Sequence, residues 1–121
     1  MSVIFHITKR GHWEKAKLEG VYSGDTLGSQ GFIHCSTSSQ VVKVANALYP
    51  AQKGLVLVCI AANKVQSELK YEKVESEGLY PHIYGPLNVD AVVKVVNFEP
   101  NQNGEFVLPR EINKIRQLGT T

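Results

Sequence analysis

Gly31-Phe32-Ile33-His34-Cys35-Ser36 is short, apolar and opened by glycine, with an imidazole in its middle. Thr37 follows, three residues before Gln40, the spacing at which two side chains reciprocally satisfy the N–H groups that open a helix. The stretch therefore reads as a buried strand running into a capped helix. A strand sends alternate side chains to opposite faces. Phe32, His34 and Ser36 then share one face, and Ile33 and Cys35 the other. His beside Ser at a strand end, just before a helix, is a place to hold a polar ligand.

The following helix spans about a dozen residues, since Val41, Val44, Ala45 and Leu48 recur at helical spacing. Pro50 stops it. Leu55 to Ala61 is almost wholly apolar and rich in β-branched residues, the pattern of a central strand covered on both faces. Toward the N-terminus, Val3 to Ile7 reads as the first strand, with His6 on the face of Ile4 and Thr8. A polar break at Lys9-Arg10-Gly11-His12 leads to a helix that buries Trp13, Ala16 and Leu18 and ends at Gly20. Val21-Tyr22 is extended, and Ser23-Gly24-Asp25 and Gly28-Ser29 are turns.

Asn63 to Leu69 reads as a short helix or irregular chain, and Leu69 to Val74 as a strand with Glu72 inside it. Tyr80-Pro81-His82-Ile83-Tyr84-Gly85-Pro86 reads as a stiff extended loop. Ala91 to Phe98 is a strand, and Asn101-Gln102-Asn103-Gly104 is a hairpin turn that returns Glu105 to Leu108 as its partner. A C-terminal helix over 110–117 docks through Ile112 and Ile115, with Arg110, Lys114 and Arg116 in solvent. The elements mix rather than alternate. The expectation is one α+β domain, core 3–108, with mostly antiparallel or mixed sheets.

A chain of 121 residues suits one domain, and 43% hydrophobic with 20% charged residues suits a globular one. A net charge of +2 argues for neither nucleic acid nor an anionic membrane as partner. The longest apolar run, Leu55 to Ala62, is far short of a membrane span, and no charged leader precedes a hydrophobic segment. Cys35 and Cys59 each sit in an apolar run. Free buried thiols in a reducing cytoplasm are expected.

The histidines carry the chemical signal. His6 and His34 lie in separate strands and His82 in the stiff segment. If both strand rings face one cleft, a neutral imidazole can donate to one ribose hydroxyl and accept from another group. The plainer reading is two core histidines. Glu72 can orient a hydroxyl or act as a base, or it can face water between Lys70 and Lys73. Lys9-Arg10 precedes a helix start, where anions are favoured, or is a solvated turn. Cys35, opposite His34, is no nucleophile. Three histidines can bind zinc with an open fourth position, but their spacing matches no metal motif.

His6 with Thr8, Trp13, Gly31 to Ser36 with Gln40, Glu72, and Pro81-His82-Ile83-Tyr84-Gly85-Pro86-Leu87 follow in an order that resembles the small bacterial and plant proteins of domain of unknown function 952. The resemblance runs from Val3 to Val96. That family looks like a distant member of the ADP-ribosyltransferase-like superfamily, which includes NAD-dependent RNA 2′-phosphotransferases. The resemblance implies a split pair of sheets around an NAD cleft and cleavage of the nicotinamide–ribose bond through an oxocarbenium-like ribose. His6, His34, Glu72 and His82 would be the chemical groups. Thr8, Lys9, Arg10, Ser36 and Tyr84 would surround the ligand, with Lys9-Arg10 taking the pyrophosphate. No counterpart of the phosphotransferases' phosphate-handling arginines is visible. The expected partner is a small nucleotide, with no metal. The alternatives are a nucleotide- or phosphometabolite-binding module without catalysis, and a His-ligated metal-dependent hydrolase.

Overall fold

In a computed structural model that describes residues 2–24 and 26–112, Val3–Lys9 forms strand β1 and runs directly into helix α1, Arg10–Glu19. The expected polar break is the junction itself. Lys9 closes the strand, and the Arg10 N–H donates to Gly54 O at 3.0 Å. α1 buries Trp13 and Ala16 and ends at Gly20, whose φ of 79° is left-handed. Leu18, expected to be buried, is 90% exposed. It lies two residues beyond Ala16, roughly 200° further around the helix.

Strand β2 (Val21–Tyr22), the one-turn helix α2 (Leu27–Gln30), strand β3 (Ile33–His34) and helix α3 (Val41–Leu48) follow. Then come β4 (Leu55–Ala61), a 3₁₀ turn at Ala62–Lys64, β5 (Glu68–Lys73), β6 (Leu79–Tyr84), β7 (Leu87–Asn88), a second 3₁₀ turn and β8 (Val92–Phe98). The strands form three antiparallel sheets, ordered β1-β4-β8, β2-β7 and β3-β6-β5. The fold is α+β, as expected.

β4 is the central strand of its sheet and every residue in it is buried. Val56, Val58 and Ile60 pack on one side with Ile4, Trp13, Tyr22, Ile33 and Ile83. Leu55, Leu57 and Cys59 pack on the other with Phe5, Val41, Ala45 and Phe98. An unbroken apolar run is what a strand between two cores requires. Cys35 and Cys59 are free and fall in different cores. Burial pushes the Cys59 thiol up to about 12 and the Cys35 thiol higher, so neither is a ready nucleophile.

The segment expected as a loop, Tyr80 to Pro86, is mostly strand β6, the centre of its sheet. Proline fits there because of where β3 ends. Cys35 N–H donates to Pro81 O at 3.0 Å, but Pro81 has no N–H to return. The chain leaves that sheet, and Ser36 exchanges two 2.8 Å bonds with Phe5 of β1. The strand expected over 31–36 is therefore a two-residue strand plus a bridge, and it stitches one sheet to the other.

α3 is shorter than expected. Thr37 N–H donates to Gln40 Oε1 at 2.9 Å, but the Thr37 hydroxyl pairs with Ser39 instead of returning the bond. Leu48 is 67% exposed rather than buried. The turn at Asn101 forms, with Asn101 Oδ1 accepting from the N–H groups of Asn103 and Glu105. Glu105 to Leu108 forms no strand. Asn46 of α3 takes the strand partner's place, accepting from Phe106 N–H at 2.7 Å and donating to Phe106 O at 3.2 Å. A helical turn begins over 110–112 with Ile112 buried. Asp25, Lys114, Ile115 and Arg116 lie outside the described residues. Among those described, no helix is long and apolar enough to cross a membrane.

Candidate functional site

Pairing across β3, β6 and β5 sets His34 opposite His82, His82 opposite Lys70, and Tyr80 opposite Glu72. Opposed residues share a face, so Phe32, His34, Tyr80, His82, Tyr84, Lys70 and Glu72 all project to one side. Ile33, Cys35 and Ile83 project to the other and enter the core. The alternation read for Phe32 to Cys35 is the alternation found, while Ser36 has left this sheet for its bridge to Phe5.

Three aromatic rings meet on the polar face. Phe32 stacks on His82 with centroids 4.2 Å apart and contacts the His34 ring at 4.6 Å. The two imidazoles meet edge to face at 5.4 Å. Each has one nitrogen anchored. His34 Nε2 donates to Gln30 Oε1 at 2.6 Å, which leaves Nδ1 as the lone pair of the neutral ring. His82 Nδ1 donates to Glu72 Oε1 at 2.9 Å, which leaves Nε2 as its lone pair. No described residue partners that Nε2, and no buried side-chain nitrogen or oxygen among the described residues lacks a partner. The nitrogen is therefore accessible. The two rings hold opposite tautomers.

Electrostatics favour the neutral form of His34. Desolvation, and then the repulsion that a protonated His82 would exert, pull His34 below the ordinary histidine value. Glu72 Oε1 also accepts from the Tyr84 hydroxyl. Bonds from Tyr84 and then His82 hold Glu72 below the usual carboxylate range, and the same Tyr84 bond raises the phenol. Lys70 Nζ lies 4.9 Å above the Tyr84 ring.

His6 is differently placed. Its Nδ1 donates to His34 O at 2.5 Å, and its Nε2 accepts from the Tyr22 hydroxyl at 2.7 Å. Both nitrogens are used inside the protein, so His6 ties β1 to β3.

A cavity of about 610 Å³ opens between β1, β3, α3 and the β5–β6 turn. His6, Thr8, Lys9, His34, Ser36 and His82 line it. Arg10, Glu72 and Tyr84 do not. Arg10 is an exposed helix opener, and Glu72 and Tyr84 stand behind His82. Glu72 therefore acts on the cavity only through His82. Thr26 and Gln30 border the polar end, and Val44, Ala47 and Leu48 form an apolar wall. Gln30, Thr26, Lys43 and Glu77 escape sequence reasoning because turns and distant pairings bring them in. Gln30 belongs to a one-turn helix that no periodicity reveals. Among the described residues no group of three or more His, Cys, Asp or Glu side chains could hold a metal ion. With His6 turned to Tyr22 and to the His34 backbone, the three-histidine metal alternative has no geometry behind it.

Residues 7–95 match the model of a family described as protein of unknown function, DUF952. No curated protein matches the chain. The X-ray crystal structure of protein CC0527 from Caulobacter crescentus is similar, at 27% identity and a TM-score of 0.84, over 93% of this chain and 99% of that one. The solution NMR structure of CC0527 gives 29% identity and a TM-score of 0.76, over 87% and 91%.

Proposed function

Since the chain belongs to the DUF952 family of proteins of unknown function, we propose from its own site that the cavity binds a nucleotide of the NAD class, held by its ribose hydroxyls at His34 and His82. The observation that carries this reading is the pair of opposed tautomers, with His34 Nδ1 and His82 Nε2 both free to accept. One ribose hydroxyl donating to each ring is the contact this reading requires. The cavity's size falls in the range of small-molecule pockets, about 300–1,000 Å³, and its mainly apolar wall with a few convergent polar groups is typical of them. Phe32 does not line the cavity; packed on both imidazoles, it holds the two rings in place from behind.

Thermal unfolding with NAD, ADP-ribose and inorganic phosphate tests this. A ligand present at 100 times its Kd stabilises by about 2.7 kcal/mol. NAD or ADP-ribose is expected to raise Tm, and the double variant His34→Ala with His82→Ala is expected to lose that rise. No shift with either nucleotide overturns the reading.

A second reading adds group transfer at the nicotinamide–ribose bond, as in the ADP-ribosyltransferase-like superfamily. The Glu72–His82 pair favours it, because a carboxylate that fixes an imidazole's tautomer is the usual support of a general acid or base. Release of nicotinamide from NAD, with the ribose carbon it leaves captured by water or an added nucleophile, and lost in His82→Ala, supports transfer. Intact NAD after prolonged incubation leaves binding alone.

A further inference from the structure

We propose that Lys43 receives the anionic part of the ligand, and that Glu77 holds Lys43 across the cavity mouth until that anion displaces it. Lys43 stands on α3, and Glu77 in the turn between β5 and β6. The two are ion-paired, and both line the cavity. A second bond, Gln40 Nε2 to Leu79 O at 2.7 Å, holds the start of α3 to the start of β6 beside them.

Charge in the wall points to an anion. Among the described lining residues the lysines are Lys9 and Lys43, and the one carboxylate is Glu77. Glu77 is paired with Lys43, and Lys9 meets no carboxylate among the described residues. The described part of the wall therefore carries surplus positive charge. The side chains of Lys43 and Glu77 are 69% and 39% exposed, and ion pairs that exposed are weak. Replacing Glu77 with a phosphate, which brings more charge and more acceptor oxygens, costs little. Arg10, expected to take pyrophosphate, lies outside the wall, which leaves Lys43 and Lys9 for that task.

The inference rests on the nucleotide reading, and the test separates the two. Lys43→Gln and Glu77→Gln break the same ion pair. If the pair were only a clasp, both variants would change ligand affinity in the same direction. If Lys43 takes the anion, they act in opposite directions. Titrations of the full chain with inorganic pyrophosphate, ADP-ribose and adenosine decide, with circular dichroism to check folding. Lys43→Gln is expected to weaken both anionic probes by roughly threefold to fivefold, and Glu77→Gln to tighten them by a similar factor. Adenosine should be unaffected.

Changes of the same sign, or no change, overturn the proposal. ADP-ribose binding indifferent to both variants sinks it and leaves the nucleotide site standing. Pyrophosphate binding with the opposed pattern, without ADP-ribose binding, supports it and sinks the nucleotide reading.

Discussion

Glu72 and His82 lie diagonally across adjacent strands, and Glu72 Oε1 accepts the His82 Nδ1–H at 2.9 Å while also accepting from the Tyr84 hydroxyl. One carboxylate oxygen thus fixes the tautomer of a ring that borders the cavity, without bordering it itself. Glu72→Ala removes the acceptor. The His82 ring is then expected to populate both tautomers, seen in its ¹⁵N spectrum. Tyr84 should titrate closer to the ordinary 10.0, read by phenolate absorbance. Ligand binding should weaken by up to about tenfold, the equivalent of roughly one hydrogen bond.

Acidification should weaken the site from the His34 side. Its folded value lies below the ordinary 6.5, so the folded ring resists a proton that the unfolded ring accepts. The stability of the neutral ring is fully present above 6.5 and is lost as pH falls from there through the folded value. Protonation also turns the Nδ1 acceptor into a donor. Stability and nucleotide affinity should therefore both decline below pH 6.5, and His34→Gln should flatten both profiles. Denaturant melts and binding isotherms across that window check it.

Asn46 substitutes for a missing strand by bonding both backbone groups of Phe106. Asn46→Ala leaves them unpaired by side chain, and is expected to cost about 1–2 kcal/mol in urea unfolding. It should leave the cavity unchanged, because Asn46 does not line it.

Much of this fold was legible where one physical cause acts alone. The apolar run of β4 could only be a strand covered twice, and the alternation in 31–36 separated His34 from Cys35. Legibility ended where a distant partner decides. Two prolines and a glycine made 80–86 read as a loop, yet Pro81 sits in a central strand because β3 ends opposite its missing donor. The turn at Asn101 was visible, but nothing local says that α3 would offer Asn46 to the returning chain. The histidines were singled out together, yet only the hydrogen bonds divide them. His6 has both nitrogens engaged, whereas His34 and His82 each keep one.

That division gives the most direct test. A long-range ¹H–¹⁵N spectrum of the imidazole nitrogens, recorded at neutral pH during titration with ADP-ribose, follows all three rings at once. Saturable shifts at His34 Nδ1 and His82 Nε2, with His6 almost unmoved, are the expected result. Unshifted His34 and His82 nitrogens at saturating ligand, or a response confined to His6, would contradict a nucleotide held between the two rings.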